Sequence, residues 1–305
     1  MDSARIYFMG LLANVDPSIL NLKLEYGFEV NKIPFADALF YLSLLDGVGE
    51  NNKATFTKLF NNKIISNESI YFISKTFPDL SKNDGKDFYM KDKKLVYEYL
   101  LPIMSLLRLF KEGNICIPLR YYYFFYPGPV KFREDYDSAS IIVEEPFKIV
   151  KSEVKEINEF IHSVKLPVNH DYLGLALETF ELSYSTEHLN LNFLNLMNSL
   201  EILFNPGKDV KNKKHNIADN AAKLLAKSKE QLLDLYNQFI LYYDIRSKIT
   251  HEGRSNINED DLLILRNHVR ESIKKCIKLD CEKEQLLRSL KKWDYKDGPW
   301  KIESL

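Results

Sequence analysis

The chain has 305 residues, with 42 Lys and Arg against 43 Asp and Glu, a formal net charge of −1. Apolar residues at 45%, including 18 Tyr and 19 Phe among the aromatics, supply a sizeable core and exclude a largely disordered chain. Balanced charge excludes a globally basic nucleic-acid coat protein and leaves only a local basic patch for such a partner.

Residues 5–13 and 21–30 read as strands, the second with good alternation. Pro34 then opens a helix over FADALFYLSLL that ends before Asp46-Gly47. SIYFIS, residues 69–74, fits a strand or a short helix. LVYEYLLPIMSLLRLFKEG, residues 95–113, predicts an apolar helix in which Pro102 marks a kink or the true start. ICIPLRYYYFFY (115–126) and SASIIVEEPF (138–147) predict two strands around a turn at Pro127-Gly128-Pro129. From about residue 150 the pattern is helical: 148–163, 170–185, 186–204, a short helix over 217–226, and 229–250. A last major helix starts behind the cap-like Asn258, with Leu262, Leu265, Val269, Ile273 and Cys276 at helical spacing. Asn205-Pro206-Gly207 breaks the chain ahead of a basic loop from Lys208 to His215. The fold class is therefore α+β: a mixed α/β domain over 1–165, then an all-α helical domain over 166–305.

Three cysteines cannot build a disulfide framework, and the spacing of Cys276 and Cys281 is not a zinc pattern. The histidines show no metal-ligand spacing, and no Gly-rich phosphate loop is present. No metal and no cofactor are expected. The N-terminus lacks a signal-peptide profile and no stretch of about 18 apolar residues occurs, so the expectation is a cytoplasmic protein without a membrane partner.

The segment YDIRSKITHEGR, residues 243–254, is the most informative. An Arg, four intervening residues and a His end an apolar helix that Gly253 is placed to terminate. On a continuous helix Arg246 and His251 are rotated by about 140° from each other. They converge if the helix ends there, or if a second copy faces the first. A helix C-terminus favours imidazolium, and histidine exchanges protons near neutrality as general acid or base. A guanidinium stays charged and grips phosphate with a planar fork. Together they suit phosphodiester cleavage in RNA, where the substrate's 2′-hydroxyl is the nucleophile.

RSKITH followed by Glu252-Gly253 resembles the R-x4-6-H motif of HEPN domains, in particular the ApeA-like group. FLNLMNSLEILF (193–204) is similar to that group's preceding helix, with its aliphatic–Glu–aliphatic signature. IADNAAKLLA (217–226) is similar to the short helix between, and Tyr243-Asp244 fits the usual context. The resemblance covers roughly residues 168–280. It implies a HEPN-like helical bundle, a homodimer with motif helices meeting at the two-fold axis, metal-independent endoribonuclease activity, and a setting in prokaryotic antiviral defence or a toxin-like response. Carried over, Arg246 and His251 are the catalytic pair. Ser247 stands where active members commonly have Asn, Asp or His, and it cannot replace an ionisable side chain.

Glu201, on the preceding helix, is a candidate partner that holds Arg246. Asp244 is expected to point elsewhere, into solvent. Lys208, Lys211, Lys213 and Lys214, with only Asp209 opposing them in their loop, and Arg254 beyond the motif are candidate contacts to an RNA backbone. A competing reading is a non-catalytic module for dimerisation or RNA binding, in which Arg246 and His251 are structural. The N-terminal 165 residues resemble nothing specific and are assigned a sensing or regulatory role.

Overall fold

A computed structural model describes residues 4–34, 69–80, 94–125, 131–136, 146–186, 188–207, 211–253, 257–294 and 300. The chain divides into two units, residues 1–108 with 112–163, and residues 109–111 with 164–305. All the described strands fall in the first unit, beside two helices, and the second unit is helical, so the fold is α+β.

In the first unit five strands form one antiparallel sheet: β1 (Ala4–Ala13), β2 (Glu29–Pro34), β3 (Ser69–Leu80), β4 (Cys116–Phe125) and β5 (Lys131–Tyr136), in the order β2-β3-β1-β4-β5. β1 lies at the centre of the sheet, and its alternate residues Ile6, Phe8 and Leu12 are buried on one face. A π-helical turn (Val96–Leu100) leads into α1 (Leu101–Phe110). Pro102 lies at the second position of α1 and cannot donate to the carbonyl four residues back. The Leu101 N–H instead bonds Val96 O, one residue further than in an α-helix. A short turn (Lys151–Glu153) precedes α2 (Val154–Ser163).

Three expectations need correction here. Residues 21–30 are not a strand: pairing begins only at Glu29, because Tyr26 (φ 56°) and Gly27 (φ 73°) are left-handed, which no strand continues through. Pro34 closes β2 instead of opening a helix, and 35–45 lie outside the described residues. The partner of β4 is the charged segment Lys131–Tyr136. Of the expected strand over 138–147, residues 138–145 lie outside the described residues, and Phe147 makes an isolated parallel bridge with Val15. SIYFIS is the start of a strand that runs to Leu80.

The second unit is helical: α3 (Asp171–Leu182), α4 (Leu189–Phe204), α5 (Lys213–Leu225), α6 (Lys229–Glu252), α7 (Glu259–Leu279) and α8 (Lys283–Lys292). α4 is the hub, packed against α3, α5, α6 and α7. Its Phe193, Leu196, Met197, Leu200, Leu203 and Phe204 are all buried. The expected stripe on α7, Leu262 to Cys276, is buried throughout, and Asn258 caps it by accepting from Asp261 N–H at 2.8 Å. Cys276 and Cys281 are buried free thiols. No helix among the described residues is long and apolar enough to cross a membrane.

Candidate functional site

The site is built on α6. Ser228 caps its start, accepting from Gln231 N–H at 3.1 Å, and Gln231 Oε1 accepts from Lys227 N–H at 2.7 Å. Leu235, Phe239, Tyr242 and Ile249 recur on one face and bury it. The Tyr242 ring meets Phe193 of α4 edge-on at 5.8 Å. At the far end Gly253 takes the left-handed conformation (φ 66°), and its N–H closes on Ile249 O at 3.1 Å. The anticipated stop is thus in place, but α6 is unbroken through Glu252. Arg246 and His251 therefore remain about 140° apart around one helix, and about 7.5 Å along it. Within one chain the helix end does not bring them together.

Arg246 is held from α4. Its Nε lies 3.3 Å from Glu201 Oε1, with 26% and 12% of the two side chains exposed. This is a charge contact without hydrogen-bond alignment, since neither atom has a hydrogen-bond partner among the described residues. The guanidinium also lies 5.9 Å from the ring centre of Tyr243. The other carboxylate oxygen of Glu201 accepts from Lys213 Nζ at 2.6 Å. One carboxylate therefore serves two cations, and the trio keeps an excess of positive charge. Ser247 is half-buried, and His251 is exposed in the last turn.

The basic loop is corrected. Helix α5 begins at Lys213, four residues ahead of the expected Ile217, so Lys213 and Lys214 belong to its first turn. Asp209 is not their only opposing charge: Lys213 pairs with Glu201, and Lys214 donates to both oxygens of Asp244 at 2.6 and 2.7 Å. Asp244 is thus engaged by a cation and not merely solvated. These two pairs tie α5 to α4 and to α6. Lys211 is exposed ahead of the helix, while Lys208 and Arg254 lie outside the described residues.

Four of the other histidines are in contact with polar partners. His162 faces Glu25, His170 lies between Asp280 and Glu282, His215 meets Tyr236 OH at 2.7 Å, and His268 meets Gln238 at 3.1 Å. Burial holds the His268 ring below the usual imidazole range. The His251 side chain is exposed and makes no hydrogen bond or ion pair among the described residues. No protein-family model matches the chain, and neither the curated proteins nor the solved structures contain a match to it.

Proposed function

We propose that the helical unit is a HEPN-type endoribonuclease that cleaves RNA without a metal, in a cleft shared by two copies of the chain. The observation that carries this reading is the division of labour on α6. His251 is exposed in the last turn, with no side-chain partner among the described residues, while Arg246 is held in place by Glu201. The angle of about 140° between them argues for a partner copy, since a two-fold axis near the end of α6 sets Arg246 of one helix beside His251 of the other.

In the reaction, the 2′-hydroxyl attacks the adjacent phosphorus. One His251 accepts the hydroxyl proton, and the other donates a proton to the departing 5′-oxygen. Arg246 stabilises the extra negative charge that forms on the phosphoryl oxygens. The products are a 2′,3′-cyclic phosphate and a 5′-hydroxyl. Two imidazoles, one in each protonation state, balance the protons over a turnover. A cytoplasmic defence or toxin-like response is the setting that fits such an activity.

The second reading, a non-catalytic dimerisation or RNA-binding module, is favoured by the same Glu201 contact, because an Arg–Glu pair between α4 and α6 is also a structural tie. Incubation with RNA in EDTA separates the two. Wild type is expected to cleave, and folded His251→Ala and Arg246→Ala variants to lose at least about 100-fold in rate. Wild type that is inert on diverse RNAs, and that does not inhibit growth on expression, leaves the module.

A further inference from the structure

Arg120 occupies an unusual place in the strand unit. It lies on β4, one strand from the centre of the sheet, and only 4% of it is exposed. Its Nε and Nη1 are fully buried and have no hydrogen-bond partner among the described residues. Burying an ion with unsatisfied N–H groups is strongly unfavourable, and proteins pair or remove such charges. The contact it does make is with an aromatic face: the guanidinium carbon lies 5.2 Å from the ring centre of Tyr97. One cation–π contact offsets a small part of the desolvation.

Tyr97 adds a second, independent observation. It belongs to the π-helical turn Val96–Leu100, and 40% of it is exposed. Local π turns are found frequently at functional sites, because they displace a side chain from the regular helix face. Here the displaced ring stands over the buried cation and itself reaches solvent. In register, Arg120 lies opposite Gly10 of β1 on one side and Asp135 of β5 on the other. A Cβ at Gly10 would meet Ile117 Cγ2 at 2.9 Å and the Phe8 ring at 3.1 Å, so apolar side chains close over that glycine.

We infer that Arg120 is the anchor of a ligand site in the strand unit, built for a small molecule bearing an oxyanion, with Tyr97 as the side chain that opens and covers it. The planar guanidinium donates to two oxygens of a phosphate or carboxylate at once, and the low-polarity surroundings strengthen those bonds. The site is independent of the ribonuclease reading and stands or falls without it.

The full chain is melted in chloride buffer, then with inorganic phosphate or acetate at matched ionic strength. For wild type, a saturable rise of about 5 °C is expected at a hundred times the dissociation constant. A response to phosphate alone or acetate alone identifies which oxyanion class the site takes. Arg120→Met is expected to melt at or above wild type in chloride, since it replaces a buried charge with no ion pair among the described residues, and to lose the response. A response that survives in Arg120→Met places the anion elsewhere and overturns the site. So does a wild type that responds to neither anion while Asp135→Asn melts far lower, the result of a pair internal to the sheet. Should Arg120→Met not fold, the Arg120 Nε–H resonance of wild type, assigned through Arg120→Lys, decides. Movement with either anion supports the site, and an unmoved signal ends it.

Discussion

At Glu201 the two readings of the helical unit meet in one side chain. Its carboxylate holds Lys213 by a hydrogen bond of 2.6 Å and touches Arg246 at 3.3 Å without hydrogen-bond alignment. The aligned partner should couple more strongly even though Lys213 is 39% exposed and screened by solvent. Double-mutant cycles are therefore expected to give about 1 kcal/mol for Glu201 with Lys213 and roughly half of that with Arg246. Equal couplings would show that Arg246 is bound as tightly as Lys213 and is no freer to meet a phosphate. In the nuclease reading Glu201→Gln also lowers turnover beyond what its stability loss explains, because it is a positioning residue for Arg246. On sequence alone, the polar neighbours of Lys213 place it in a loop. Only the fold reveals that it shares Glu201, twelve positions away in sequence.

Among the elements, the end of α6 was legible and the start of α5 was not, for opposite physical reasons. Gly253 follows an apolar periodicity and is needed at φ 66°, so the stop is written locally. The first turn of α5 is Lys213-Lys214-His215-Asn216, with no apolar residue to declare a periodicity. It is held by ion pairs to Glu201 and Asp244, which depend on the fold of other helices. β5 is hidden from sequence reading for the same reason: KFREDY carries charge on an edge strand, and a more apolar run nearby reads more like a strand. Residues 21–30 failed because alternation is blind to the left-handed pair Tyr26-Gly27. The stop at Gly253 can be tested alone. An added Cβ meets nothing within 4 Å, so only the backbone conformation resists substitution. Gly253→Ala is expected to cost about 1 kcal/mol and Gly253→Asn less, read from thermal melts. A neutral Gly253→Ala would mean that the last turn, with His251 in it, is already frayed.

For the whole molecule, a net charge of −1 limits what an RNA strand can find on it. Lys213 and Lys214 are partly neutralised by Glu201 and Asp244, so in the nuclease reading RNA affinity falls to Lys208, Lys211, Arg246 and Arg254. Each phosphate neutralised on a single strand contributes about 0.7 to the slope of log affinity against log salt. Four such cations in one copy give a slope of about −3, and a cleft shared by two copies gives about −6. Binding of a 2′-O-methyl RNA, which cannot be cleaved, followed by anisotropy between about 50 and 200 mM salt, therefore counts the copies that meet one strand. Lys211→Glu sharpens the count, since it flattens the slope by about 0.7 if one copy binds and by about 1.4 if two do. The steep slope, halved by the loss of dimerisation, is the outcome a composite site requires. A slope near −3 in a chain that is dimeric confines each RNA to one protomer, where α6 holds Arg246 and His251 on different sides, and the shared-cleft mechanism then fails even if RNA binds.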